Sequence, residues 1–69
     1  MKLSARNVIK GKVKKVTHGA VNSEVLLELA DGTEVVAIIT KTSAEGLGLA
    51  VGSEAYAVIK ASSVMIAVD

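Results

Sequence analysis

Two stretches of this chain, Val35-Val36-Ala37-Ile38-Ile39 and Ala55-Tyr56-Ala57-Val58-Ile59, are apolar at consecutive positions. Successive side chains of a strand point to opposite sides, so strands of this composition are apolar on both faces. With 69 residues the chain makes one small core, which covers only one of those faces. A domain near this size buries only about 60% of the surface that its unfolded chain exposes. Cysteine is absent, which excludes disulfides and Cys-rich structural zinc and leaves association between copies as the remedy. The outer set Leu26, Val36, Ile38, Tyr56 and Val58 is therefore expected to be buried against other copies of the chain.

The rest of the pattern is also that of strands. From Asn7 to Thr17, Val8, Ile9, Val13 and Val16 interleave with Lys10, Lys12, Lys14 and Lys15, and Gly11 marks a bulge or bend. After the turn His18-Gly19-Ala20, the span Val21–Ala30 places Val21, Val25, Leu27 and Leu29 on one face and Asn22, Glu24, Leu26 and Glu28 on the other. Asp31-Gly32 then predicts a two-residue type I′ hairpin turn into a third strand, Thr33–Thr40. Ser43 is a candidate N-cap for one or two helical turns before the glycines of Gly46-Leu47-Gly48, and Gly52 supplies the next turn. Glu54–Lys60 reads as strand four and Val64–Val68 as strand five. The prediction is an all-β fold: a small five-stranded OB-like barrel with one short helical turn between strands three and four, a single domain over 1–69.

Eight Lys and Arg against seven Asp and Glu give a formal charge of +1, too balanced for the footprint of a dedicated nucleic-acid binder. No apolar run approaches the roughly 20 residues needed to cross a bilayer, and no continuous apolar segment follows Met1-Lys2-Leu3. A cytoplasmic protein without a membrane partner is expected. The carboxylates are spaced like surface charges, and no nucleophile–base pair or phosphate loop is present, so the reading is against an enzyme. The lone His18 has neither a second His nor a Cys beside it, so no metal held directly by protein is expected.

Four polar breaks carry the chemistry: Ser4-Ala5-Arg6-Asn7, Gly19-Ala20-Val21-Asn22, Thr40-Lys41-Thr42-Ser43 and Lys60-Ala61-Ser62-Ser63. None contains a carboxylate, and together they offer hydroxyls, amides and cations. An unprotonated tetrahedral dianion only accepts hydrogen bonds, so its receptor must be built from such donors. Each break also has a plainer reading. Arg6 alone is a solvated charge, Lys60 a strand-terminating lysine reaching for water, Ser43 a helix cap and Gly19–Asn22 a hairpin turn. The strand-one lysines suit a nucleic-acid backbone less well than a solvated face, because no stacking aromatics flank them.

Taken in order, Ser4-Ala5-Arg6-Asn7, Gly11, Gly19-Ala20-Val21-Asn22-Ser23-Glu24-Val25, Thr40-Lys41-Thr42-Ser43-Ala44, Leu47-Gly48-Leu49, Gly52 and Ala57-Val58-Ile59-Lys60-Ala61-Ser62 closely resemble the molbindins. These are free-standing versions of the molybdate-binding Mop/TOBE domain that is also found in molybdate-responsive regulators and transport ATPases. The resemblance spans nearly the whole chain. It implies a homohexamer, a trimer of dimers, that stores molybdate or tungstate at subunit interfaces for molybdenum homeostasis, with no cofactor and no nucleic acid. It implies one class of site formed by Ser4, Ala5, Arg6, Thr40, Ser43, Lys60, Ala61 and Ser62 from two subunits, with Thr42 an alternative to Thr40 and with Ala61 and Ser62 alternatives to each other as the contacting residue. A second class, near three-fold axes, would use Gly19, Ala20, Val21 and Asn22. A small OB-type nucleic-acid-binding module is the alternative function.

Overall fold

The computed structural model covers residues 1–69 and shows four strands, one short α-helix and one 3-10 turn. Strands β1 (Asn7–His18), β2 (Asn22–Leu29) and β3 (Glu34–Thr40) precede helix α1 (Lys41–Gly46), and β4 (Glu54–Ile59) leads into the 3-10 turn Ala61–Ser63. All pairings are antiparallel and the sheet order is β3-β2-β1-β4. The curled sheet belongs to the OB-like, mostly β class expected from the sequence.

Alternation explains which face is inside. Val13, Val25 and Leu27 are buried, and Val16, Val35, Ala37, Ile39, Leu49, Ala55 and Ala57 pack around them. Each fully buried Val or Leu contributes about 1.5–3 kcal/mol, so this aliphatic cluster carries most of the stability within one chain. The opposite face is apolar in part and uncovered, with Val36, Ile38, Tyr56 and Val58 all exposed.

Three details of the strands differ from expectation. The fifth strand is not in the sheet: Val64–Asp69 leaves the 3-10 turn as unpaired chain, with Met65 91%, Ile66 87% and Val68 90% exposed. An apolar cavity of about 430 Å³ is bordered by Leu27, Ala37, Ile39, Leu49, Tyr56 and Val58. The hairpin after β2 is not type I′ either, because Asp31 does not have positive φ and only Gly32 does, at 88°. Gly32 N–H donates to the Leu29 carbonyl at 3.0 Å, and Leu29 N–H to the Thr33 carbonyl at 2.8 Å, which closes a longer loop with its glycine in the left-handed region. The Thr33 amide donates to Asp31 Oδ1 at 3.0 Å and holds that carboxyl below its usual range.

The bulge in β1 falls between Val13 and Lys15 rather than at Gly11. Gly11 is instead a close approach, since a Cβ there would lie 2.9 Å from the Glu28 carbonyl oxygen. The bulged residue Lys14 meets a conflict in the neighbouring ladder. Glu28 and Glu34 are direct cross-strand partners, a like-charge pairing that is unfavourable in a sheet. Lys14 Nζ bridges them, 2.6 Å from Glu34 Oε2 and 3.3 Å from Glu28 Oε2, and the Glu34 hydrogen bond pushes the lysine pKa above its ordinary value.

Gly11→Ala is expected to cost about 1–3 kcal/mol through overpacking against backbone, read as a lower midpoint in urea. Lys14→Met tests the bridge by its pH dependence. A raised folded-state pKa gives stabilisation that is complete below the unfolded lysine value and fades as pH rises through the folded one. The wild-type advantage over K14M in thermal unfolding should therefore hold at neutral pH and shrink in the alkaline range; a constant difference would contradict the bridge.

Candidate functional site

The Asn7 side chain fixes one end of the sheet. Its Nδ2 donates to the Ile59 carbonyl at 3.2 Å, and Asn7 and Ile59 are the last rung between β1 and β4. The residues before β1 and after β4 are thereby brought side by side. Ser4, Ala5, Arg6, Lys60, Ala61 and Ser62 line one open pocket of about 320 Å³, with no carboxylate among them. Neither Arg6 nor Lys60 takes part in a salt bridge. The amides of Ala61 and Ser62 have no protein acceptor, because the 3-10 turn engages only the amides of Ser63 and Val64, which donate to the Lys60 and Ala61 carbonyls. Two cations, two serine hydroxyls and free amides thus face a space far larger than a tetrahedral oxyanion.

Thr40 and Ser43 lie elsewhere. Thr40 is the N-cap of α1, in place of the Ser43 expected from the sequence, and pairs with Asn22 at the far end of the β2–β3 ladder. Asn22 adjoins the turn that follows His18, the other end of β1. At about 3.3 Å per residue a twelve-residue strand reaches on the order of 35 Å, and the molecule is 35 Å in its longest dimension. The two groups of residues therefore sit at opposite ends of β1, and one copy does not bring them together.

The cap has a definite hydrogen-bond count. Thr40 Oγ1 accepts from the Ser43 amide at 3.0 Å and donates to Ser43 Oγ at 2.7 Å. A hydroxyl has one hydrogen, so Thr40 has none left to give, while the Ser43 hydroxyl keeps its own. Ser43 is the outward donor of this pair and Thr40 positions it.

The turn Gly19–Asn22 is held at both sides. Gly19 N–H donates to the Asn22 carbonyl at 2.7 Å, and Lys41 N–H to the Val21 carbonyl at 2.8 Å. A side chain at Gly19 would meet the Asn22 oxygen at 2.9 Å, which accounts for the glycine. The carbonyls of Val21 and Asn22 are engaged by the protein, while the amides of Ala20 and Val21 have no acceptor. The turn adjoins the Thr40–Ser43 cap. Sequence reasoning missed the contact that closes its base, His18 Nδ1 to Ser23 Oγ at 2.6 Å; the polar Ser23 on an otherwise apolar strand face was the available signal.

Residues 3–66 match the model of the TOBE domain family. The chain belongs to that family, on its molbindin branch. It is 44% identical to a probable molybdenum-pterin-binding protein of Haemophilus influenzae over the full length of both chains. It is 52% identical to molybdenum-pterin-binding protein 3 of Clostridium pasteurianum, over 96% of this chain and 97% of that one. Against MopA of Rhodobacter capsulatus, also a molybdenum-pterin-binding protein, identity is 52% over 97% of this chain but only 25% of the larger protein. Among solved structures, an apo form of MopII from Clostridium pasteurianum superposes with a TM-score of 0.92 at 45% identity, covering 97% of this chain and 100% of that one. A molybdate-binding protein from Sporomusa ovata gives the same TM-score, 0.92, at 34% identity, over 97% and 98% of the two chains. These molbindin relatives are binding proteins rather than enzymes, in agreement with the absence of a catalytic pattern in the sequence.

The cap geometry makes a test independent of any ligand. Thr40→Val should cost about 1 kcal/mol, the usual effect of losing an N-cap, whereas Ser43→Ala should stay within about 0.5 kcal/mol. Chemical denaturation of the two variants reads the difference, and equal losses would refute the assigned roles.

Proposed function

We propose that this chain, one molbindin-like unit over residues 1–69, binds molybdate or tungstate and stores it in the cytoplasm for molybdenum homeostasis. The observation that carries this reading is the carboxylate-free pocket with Arg6 and Lys60 unpaired beside Ser4, Ala5, Ala61 and Ser62. Two free cations left without counter-ions, among groups that donate, match a dianion. The names of the relatives support the choice of a molybdenum oxyanion. No cofactor is assigned and the metal atom is met only through its oxo groups. No helix is long and apolar enough to cross a membrane.

The site of this first class joins Ser4, Ala5, Arg6, Lys60, Ala61 and Ser62 of one copy to Thr40 and Ser43 of another. Their separation along β1 supports sharing between copies, and the open pocket supports closure by a second surface. The unpaired Val64–Val68 segment and the apolar cavity between β3 and β4 support the same assembly. Each copy has an unpaired apolar segment and a sheet whose two edge strands border an apolar cavity. A homohexamer built as a trimer of dimers, as the molbindin likeness implies, also covers Val36, Ile38, Tyr56 and Val58. Gly19, Ala20, Val21 and Asn22 form the second class, through the free amides of Ala20 and Val21 and the Asn22 side chain. The nucleic-acid alternative is not favoured, since Lys10 is paired with Glu54 and Lys14 with Glu28 and Glu34.

Titration calorimetry with molybdate, tungstate, sulfate and phosphate tests the reading. Molybdate should bind and raise thermal stability, and Arg6→Ala should remove the first class while the assembly persists; a silent molybdate titration would overturn the proposal. Truncation after Ser63 should lower the mass in light scattering and abolish Arg6-dependent binding together. An unchanged mass would show that the C-terminal segment does not hold the copies together.

A further inference from the structure

The bond from Asn7 Nδ2 to the Ile59 carbonyl, 3.2 Å long and half-buried, lies on the last rung between β1 and β4. Both walls of the carboxylate-free pocket lie beyond that rung, Ser4, Ala5 and Arg6 on one side and Lys60, Ala61 and Ser62 on the other. No loop or side-chain hydrogen bond involves residues 1–6. The bonds of the second wall are local, from the Ser63 amide to the Lys60 carbonyl at 2.8 Å and from the Val64 amide to the Ala61 carbonyl at 3.2 Å. No hydrogen bond crosses from one wall to the other, so their spacing is set at the Asn7–Ile59 rung.

That rung works against a force. Arg6 adjoins Asn7 and Lys60 adjoins Ile59, and neither cation has a carboxylate partner. Two like charges lining one pocket repel until an anion joins them. Repulsion at the free ends of two strands acts to splay them, and the last rung is where splaying begins. Asparagine is also a poor strand former, so its place at this rung calls for a reason beyond the ladder.

We propose that Asn7 is a positioning residue of the oxyanion pocket: its bond to Ile59 holds Arg6 and Lys60 at a fixed spacing against their mutual repulsion, before the anion arrives. The inference rests on the reading of this pocket as an oxyanion site. Asn7 is not among the pocket's lining residues, so it acts through the cations on either side of the rung. A pocket that is correctly spaced for only part of the time binds in proportion to that fraction. The net worth of one such bond sets the expected loss of affinity at about two- to tenfold.

The test is titration calorimetry of the full chain with molybdate, with the mass followed by light scattering. Asn7→Ala should weaken the Arg6-dependent class by about two- to tenfold at unchanged mass. Binding that remains in Arg6→Ala should not change when Asn7→Ala is added. Asn7→Gln, which keeps the amide donor, should stay within about twofold of the unmutated protein. Sodium chloride screens the repulsion between the cations, so the ratio of N7A to unmutated affinity should approach one as salt rises.

Equal affinity in N7A, or as large a loss in N7Q, overturns the inference and leaves the site standing. A ratio that does not change with salt also overturns it, since that is the behaviour of a direct contact. Should N7A fail to assemble, Asn7→Ser, whose hydroxyl is too short to span the rung, takes its place; failure of both shows that Asn7 holds the fold as a whole and overturns the positioning role. No molybdate binding in the unmutated protein overturns the pocket reading itself, which separates that failure from the others.

Discussion

The free edges of β3 and β4 border the same apolar cavity, so each copy carries unsatisfied ladder groups and uncovered side chains along one seam. Exposed edges of this kind invite pairing with another chain. Nothing in the strands guards against it: no proline interrupts β3 or β4, and Val36 and Ile38 face outward along β3. The buried cluster of Val13, Val25 and Leu27 is small for a chain of 69 residues. A second copy that closes the seam would enlarge that core with the same stroke that satisfies the edges.

The proposed chemistry depends on the same closure. A dianion held by an open pocket competes with water for every donor, and surface charges in high dielectric attract weakly. Once a second surface excludes water, Arg6 and Lys60 attract more strongly, and any oxygen left without a donor becomes costly. Binding at such a seam stabilises only the assembled form, so ligand and association are linked by mass action. The two proposed classes of site also occupy different parts of one sheet. The first needs both ends of β1, whereas the second is built on the end where Asn22 pairs with Thr40.

Much of this was legible in the residues. Alternation placed Val25, Leu27 and Leu29 on the inner face of β2, and consecutive apolar residues announced the two-faced strands β3 and β4. Ser4–Arg6 and Lys60–Ser62 were grouped into one site only through the molbindin resemblance, since the pairing of β1 with β4 that brings them to one pocket is not visible in the linear pattern. What failed depended on relations that a linear pattern does not carry. Val64–Val68 has strand composition, yet a strand needs an edge to pair with, and after the 3-10 turn this segment pairs with none in its own sheet. Asp31-Gly32 suits a type I′ turn, but the Asp31 side chain accepting from Thr33 favours the longer loop. The bulge at Lys14 answers the Glu28–Glu34 clash, which exists only once the register is known.

Selectivity under the proposed reading turns on which donors are fixed. A serine hydroxyl both gives and accepts, so Ser4 and Ser62 alone would tolerate the proton that phosphate carries near neutral pH. Amides and cations only give. The free amides of Ala61 and Ser62, together with Arg6 and Lys60, are therefore the groups that penalise a protonated oxygen. At Ser43 the Thr40 hydrogen occupies one of the two lone pairs of the hydroxyl oxygen and leaves the Ser43 hydrogen free to donate. Sulfate has no proton to penalise, so its rejection falls to the spacing between the two copies, which sets the size of the closed cage. A substitution that shifts the packing of β3 or β4 against a neighbouring copy would then alter discrimination against sulfate more than discrimination against phosphate, although it touches neither anion.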